Sequence, residues 1–240
     1  MPNWRELKHA YGSAEDIPEI ISALTPDPTS PAWEDLWSRV CHQGTTYSAS
    51  PAVLPVLLSL TSNWGTTERV MPLTLAGAIV AAAQTNAEGY EEAVDGLRTL
   101  ALNTVKNPEL SRGDRIYMMQ SVLALRGDRL WGRVLDHIVD GEFPAPCPSC
   151  GKGLYLVIGK HGAFVTADDW VCKPSVAKTE ITPLEVDTLS GVGEWLHTVS
   201  VESGDSELAD WICHLFGASK CPECGKLFNL PEAIAQIDEQ

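Results

Sequence analysis

Cys147-Pro148-Ser149-Cys150-Gly151-Lys152 and Cys221-Pro222-Glu223-Cys224-Gly225-Lys226 are two copies of one turn, and their reading decides the fold. Two cysteines three positions apart can present both sulfurs to one ion, while the following Gly lets the backbone come close to them. Each turn runs into an apolar stretch, Leu154-Tyr155-Leu156-Val157-Ile158 after the first and Leu227-Phe228 after the second. That is the layout of a zinc ribbon split into halves. Bringing the halves together closes a loop of roughly seventy residues, which costs about 4 kcal/mol on logarithmic scaling. A structural zinc site contributes on the order of 10 kcal/mol or more, so the metal outweighs the closure. The expected ligands are Cys147, Cys150, Cys221 and Cys224, holding one zinc per chain. Four thiolates leave no coordination position for water, so the expected role of the ion is structural.

The competing reading of these cysteines is a pair of disulfides or redox centres. Residues Met1 to Gly12 carry Arg5, Glu6, Lys8 and His9 without the apolar core of a secretory signal, from which a cytoplasmic location is expected and disulfides are disfavoured. Cys172 and Cys213 are the remaining candidates should one knuckle sulfur be unused, and both are expected to be buried thiols. No apolar run approaches the length of a membrane span.

The formal charge is -15. Residues 1–140 hold 11 Lys and Arg against 17 Asp and Glu, and residues 141–240 hold 6 against 15, so the cysteine-bearing part stands at -9. Affinity for phosphate backbones comes mostly from clustered Lys and Arg, so nucleic acid is disfavoured as a partner although many zinc ribbons bind it. Only a stripe built from Arg98, Arg112, Arg115, Arg126, Arg129 and Arg133 could reverse that, and the acids among them point instead to an ion-paired face. Acidity of this degree suits a basic protein partner.

Residues 1–140 read as helices joined by polar turns. Ile17, Ile20, Ile21 and Leu24, then Trp33, Leu36, Trp37 and Val40, fall at i, i+3, i+4, i+7 and mark two buried stripes. Ser13 and Ser30 stand where N-caps belong, and Pro31 suits the first helical position. Further helices are expected over 53–60, 73–83, 94–105, 116–125 and 130–139. The run Leu73 to Ala83 is apolar around most of its circumference, as a central helix packed on several sides would be, and its small residues permit close helix approach. A pattern Ser-x3-apolar-Pro-x-apolar-apolar-Ser recurs at an offset of 37 residues, from Ser13–Ser22 to Ser50–Ser59, which points to HEAT-like helix pairs.

Cys41-His42-Gln43-Gly44-Thr45-Thr46-Tyr47 follows the second stripe. Neighbours on a helix point about 100 degrees apart, so Cys41 and His42 are badly placed to activate one another. The expectation here is a helix end closed by Gly44, with a polar loop leading to a cap at Ser50. If the loop binds anything, His42, Gln43 and Tyr47 are its candidate residues, with His137 or His214 joining only if folding brings them near.

Pro144 and Pro146 demand an extended approach to the first knuckle, which sets the domain boundary at 140/141. Gly159-Lys160-His161-Gly162 between two apolar runs reads as a hairpin tip, with His161 solvated, and the strand after the second knuckle should complete a three-stranded ribbon. Between the ribbon halves, at about 183–217, lie two more helical stripes joined at Glu202-Ser203-Gly204-Asp205. This helical hairpin is expected to pack on the preceding array. A short acidic helix from Pro231 to about Ile237 ends the chain.

The stretch Leu36-Trp37, Cys41-His42-Gln43-Gly44-Thr45, Tyr47, Ala49-Ser50 and Leu54-Pro55 resembles a motif of bacterial HEAT-like helical-repeat proteins, some of them immunity-type proteins of polymorphic-toxin systems. The resemblance is most specific over residues 13–60. Helical repeats followed by a split Cys-Pro-x-Cys-Gly ribbon are similar to one bacterial group over most of the chain. Thr46 departs from the aliphatic residue expected there. The resemblance implies no catalytic residues. It implies a non-catalytic, immunity-type binding scaffold, which fits the mainly α fold expected from the residues, a HEAT-like helical repeat stack with a small C-terminal β zinc ribbon containing a helical-hairpin insertion, and the basic partner expected from the acidity. The alternative is a small-molecule enzyme using a groove around Cys41–Tyr47.

Overall fold

A computed structural model describes residues 2–82, 87–173 and 175–236. The chain divides into two compact units, Met1–Leu135 and Asp136–Gln240. The first contains the hairpin β1 (Lys8–His9) and β2 (Gly12–Ser13), α1 (Ile17–Ser22), α2 (Pro31–Val40), the hairpin β3 (Cys41–His42) and β4 (Thr45–Thr46), α3 (Ser50–Ser62), α4 (Val70–Ala81), α5 (Glu91–Thr104), α6 (Arg112–Leu125) and α7 (Trp131–Val134). No helix among the described residues is long and apolar enough to cross a membrane.

The apolar run is the centre of this unit, as its composition requires. Helix α4 buries Leu73, Leu75, Ala76, Gly77 and Ile79, and it packs against α3, α5, α6 and α7. A Cβ at Gly77 would lie 2.8 Å from the Ser121 Cα of α6, so the two backbones touch where a side chain has no room. The expected end of this helix at Ala83 lies outside the described residues. The two copies of the 37-residue pattern fall in helices of unequal length. Pro18 occupies the first turn of six-residue α1, where its missing N–H costs nothing, whereas Pro55 sits inside thirteen-residue α3.

Three local expectations need correction. Helix α2 ends at Val40, and Cys41–His42 is a strand paired with Thr45–Thr46. Gln43 (φ 49°) and Gly44 (φ 76°) are both left-handed, as a two-residue type I′ hairpin turn needs, and such a turn is too short for a periodicity argument to find. Ser50 is the first residue of α3. Its hydroxyl accepts from the Tyr47 N–H at 2.8 Å and donates to the Val40 carbonyl, tying both ends of the loop together. The helix expected over 130–139 breaks after Val134, although Leu135 and Ile138 keep its buried stripe.

Arg115 does not join a basic face. It is 3% exposed, and its guanidinium donates to the Val105 carbonyl at 2.6 Å and the Asn107 carbonyl at 3.1 Å, closing the C-terminal end of α5. Hydrogen bonds from a charged donor contribute more than neutral ones, so Arg115→Leu should cost about 3 kcal/mol, read as a shift of the urea midpoint at unchanged slope. A midpoint unmoved by the substitution would contradict this role.

The second unit holds α8 (His137–Asp140), β5 (Glu142–Pro146), β6 (Gly153–Gly159), β7 (Gly162–Thr166), β8 (Thr179–Glu180), α9 (Gly191–Glu202), α10 (Ser206–Leu215), β9 (Ala218–Lys220), β10 (Leu227–Asn229) and α11 (Leu230–Ala235). The strands β5-β6-β7-β8 form an antiparallel sheet in that order. Both prolines of β5 lie on an edge strand, where proline is tolerated, with Phe143 and Ala145 turned to the core. The strand after the second knuckle does not complete this sheet. Instead β10 pairs with β9 in a hairpin of its own. The inserted helical hairpin α9–α10 forms as its stripes require, with α10 against β6. The end of the last helix at Ile237 lies outside the described residues.

Candidate metal centre

Each Cys-Pro-x-Cys-Gly-Lys turn is the six-residue loop of a hairpin. The first joins β5 to β6 and the second joins β9 to β10. Their hydrogen bonding is the same. The Cys147 N–H donates to the Lys152 carbonyl at 2.8 Å and the Gly151 N–H to the Cys147 carbonyl at 2.9 Å. In the second turn the Cys221 N–H donates to Lys226 and the Gly225 N–H to Cys221, both at 2.9 Å. Gly151 and Gly225 share φ 71°, a left-handed conformation that reverses the chain just after the second sulfur. The duplicated sequence is thus a duplicated backbone.

The sheet holds the two turns together. Residue Thr179 of β8 donates its hydroxyl to the Lys220 carbonyl at 2.6 Å, and Ser219 of β9 donates to the Glu180 carbonyl at 2.8 Å. A backbone bridge between Thr182 and Ala218 extends the clamp, with N–H to carbonyl distances of 2.8 and 3.0 Å. Helix α11, directly after β10, packs on β5. The hairpin carrying Cys221 and Cys224 is therefore fixed against the sheet carrying Cys147 and Cys150. Sequence reasoning missed Thr179 and Ser219. The only signal was a pair of β-branched or hydroxylic residues in short polar stretches.

The four sulfurs lie within 4.8 Å of one another, with Cys147 to Cys224 and Cys150 to Cys221 each at 3.9 Å. Four sulfurs about 2.3 Å from a central tetrahedral ion stand about 3.8 Å apart, so the arrangement fits one metal ion. It does not fit disulfides across the knuckles, which need sulfurs at about 2.05 Å. Cys147 and Cys221 are buried, and Cys150 and Cys224 face solvent.

Local electrostatics separate the thiols. Burial works against ionisation of Cys147, but the backbone N–H groups of Ser149 and Cys150 outweigh it and bring the thiol down to about 7. At Cys150 the Lys152 N–H favours the thiolate, yet burial and the neighbouring sulfurs prevail and push it up to about 12. Burial also raises Cys221. The Cys147 thiolate forms readily, and a cation is needed to draw out those of Cys150 and Cys221.

A pH dependence follows. Cys150 and Cys221 are raised, so without a cation they stay protonated at neutral pH and must each lose a proton on binding. Affinity should fall at least a hundredfold per unit of acidification, and below pH 7 Cys147 adds another tenfold. Titration with a chromophoric chelator between pH 6 and pH 8 measures it, and a flat profile would contradict it.

The other candidate residues are partly assembled. His42 and Gln43 line a hollow of 540 Å³ on the first unit, whereas Tyr47 is not among its lining residues. His42 Nδ1 lies 3.3 Å from the Tyr11 hydroxyl. Cys41 is buried, which pushes its thiol up to about 11, and it is no nucleophile at neutral pH. His137 and His214 belong to the second unit, packed on Phe143 and bonded to the Asp210 carbonyl respectively. Cys213 is buried as expected, but Cys172 is exposed, because the turn opened by Asp169 leaves its side chain in solvent. His161 is exposed at the hairpin tip with its ring 5.1 Å from that of Trp170. No family model, no curated protein and no solved structure matches the chain.

Proposed function

We propose that the chain is a non-catalytic, cytoplasmic binding protein of the immunity type, in which HEAT-like helices recognise a basic protein partner and one structural zinc fastens the C-terminal unit. The observation that supports a structural rather than a catalytic role for the metal is its all-sulfur donor set. Among the described residues no other His, Cys, Asp or Glu joins the four sulfurs, and four thiolates would leave an ion no position for water or substrate. The all-sulfur set favours zinc over calcium, magnesium or manganese, which take oxygen ligands. The charge of -15 supports a basic partner and weighs against nucleic acid. Tagged protein should capture a basic protein from its native cells at low salt and release it at high salt, and should give no mobility shift with DNA or RNA. Recovery of nothing above background, or a shift with nucleic acid, would overturn the reading.

The alternative, a small-molecule enzyme around Cys41–Tyr47, is favoured by the hollow beside His42 and Gln43. It is disfavoured by the raised Cys41 thiol. Rapid modification of Cys41 by iodoacetamide at pH 7 would revive it.

A further inference from the structure

The hollow beside His42 is one lobe of a longer groove. A second hollow, of 480 Å³, shares Pro28, Trp37 and Met71 with it, so the two meet over the half-buried Trp37 ring and run on to Tyr117. The floor is aromatic and thioether, the composition of surfaces that carry most of the energy in protein recognition. Three carboxylates line it: Glu34 in the first lobe, Glu68 and Asp114 in the second. No Lys or Arg lines either lobe.

Two of these carboxylates are held in place without being neutralised. Glu68 Oε2 accepts from the Gly65 N–H at 2.6 Å, and Asp114 Oδ2 accepts from the Ser111 hydroxyl at 2.7 Å. Neither donor carries charge. Among the described residues none of the three acids stands in an ion pair. Elsewhere on the same unit, Asp16 and Asp35 are paired with Arg39, and Asp95 with Arg98. The groove thus presents uncompensated negative charge around an aromatic floor, where a guanidinium or ammonium gains both a carboxylate and a ring face.

We propose that this groove is the docking site for a cationic segment of a partner protein, with Arg or Lys side chains reaching Glu34, Glu68 and Asp114 and an apolar residue seated on Trp37 and Met71. The assignment rests on the basic-partner reading above and adds where the partner binds. Two lobes joined over one ring suit an extended peptide. A single small amine would fill one lobe and leave the other carboxylates unpaired.

The probe is a fluorescein-labelled peptide of alternating Arg and Leu, titrated into the full chain by fluorescence anisotropy at low salt. Expected is saturable binding, weakened at least tenfold by the combined substitutions Glu34→Gln, Glu68→Gln and Asp114→Asn, the last two of which keep an acceptor for the Gly65 N–H and the Ser111 hydroxyl. Trp37→Ala should weaken it comparably, and Glu180→Gln with Glu194→Gln should leave it unchanged. Equal loss in both sets of acid substitutions would overturn the groove as the site while leaving the basic-partner reading standing. Arginine amide competing as strongly as the peptide, mole for mole, would replace a protein segment with a small cation. Capture of a basic partner by wild type and the triple variant alike would also sink the groove, whereas absence of any basic partner would sink the underlying reading.

Discussion

Cys221→Ser should abolish stoichiometric metal binding and unfold the second unit, while the helices of the first unit persist. Four thiolates on one ion supply on the order of 10 kcal/mol or more of folding free energy, comparable with or above the whole stability of a domain of this size. The substitution removes one sulfur and puts a hydroxyl, a poor partner for zinc, at a position 1% exposed. Metal analysis should find close to none per chain. Hydrogen exchange should show protection lost across β5 to β7 and retained in α4 and α6. A chelator added to wild type should give the same pattern, which separates loss of the ion from a packing defect at residue 221. Unchanged metal content in the variant would remove Cys221 from the ligand set.

Gly217→Ala should be the most damaging single-methyl change in the second unit. A Cβ there would collide with the Thr182 carbonyl oxygen, a backbone atom that cannot rotate aside. Accommodating it would break the pair of hydrogen bonds between Thr182 and Ala218, and the Leu230 N–H bonded to the Gly217 carbonyl would move with them. Overpacking costs typically 1–3 kcal/mol, and a backbone clash this close should cost about 3 kcal/mol or more. The loss should reach the metal as well, because the clamp that brings the second knuckle to the first would open. Thermal unfolding of the loaded protein and chelator competition measure the two effects. Lost stability with undiminished metal affinity would show that the clamp does not position the knuckle.

What the sequence disclosed, and what it hid, follows the range of the interactions. The knuckles were legible because chemistry fixes both residue type and spacing at Cys147, Cys150, Cys221 and Cys224. Helices α2 to α6 were legible because burial on one face repeats every three to four residues. The hairpin at Gly159 to Gly162 was visible for the same local reason. The pairing of β10 was not, since nothing in Leu227-Phe228-Asn229 states whether its partner is β9 or the larger sheet. Strand β5 read only as an extended approach to the first knuckle, because its two prolines conceal an edge position. The turn at Gln43-Gly44 was misplaced because a left-handed Gln gives no signal in composition, and the groove over Trp37 joins residues from distant helices that no spacing rule connects.

X-ray absorption at the zinc edge, on protein purified without added metal, tests the central claim most directly. One zinc per chain in a shell of four sulfurs at about 2.3 Å is the expected result. A shell containing oxygen or nitrogen, or a protein that carries no metal and keeps its second unit folded, would contradict it.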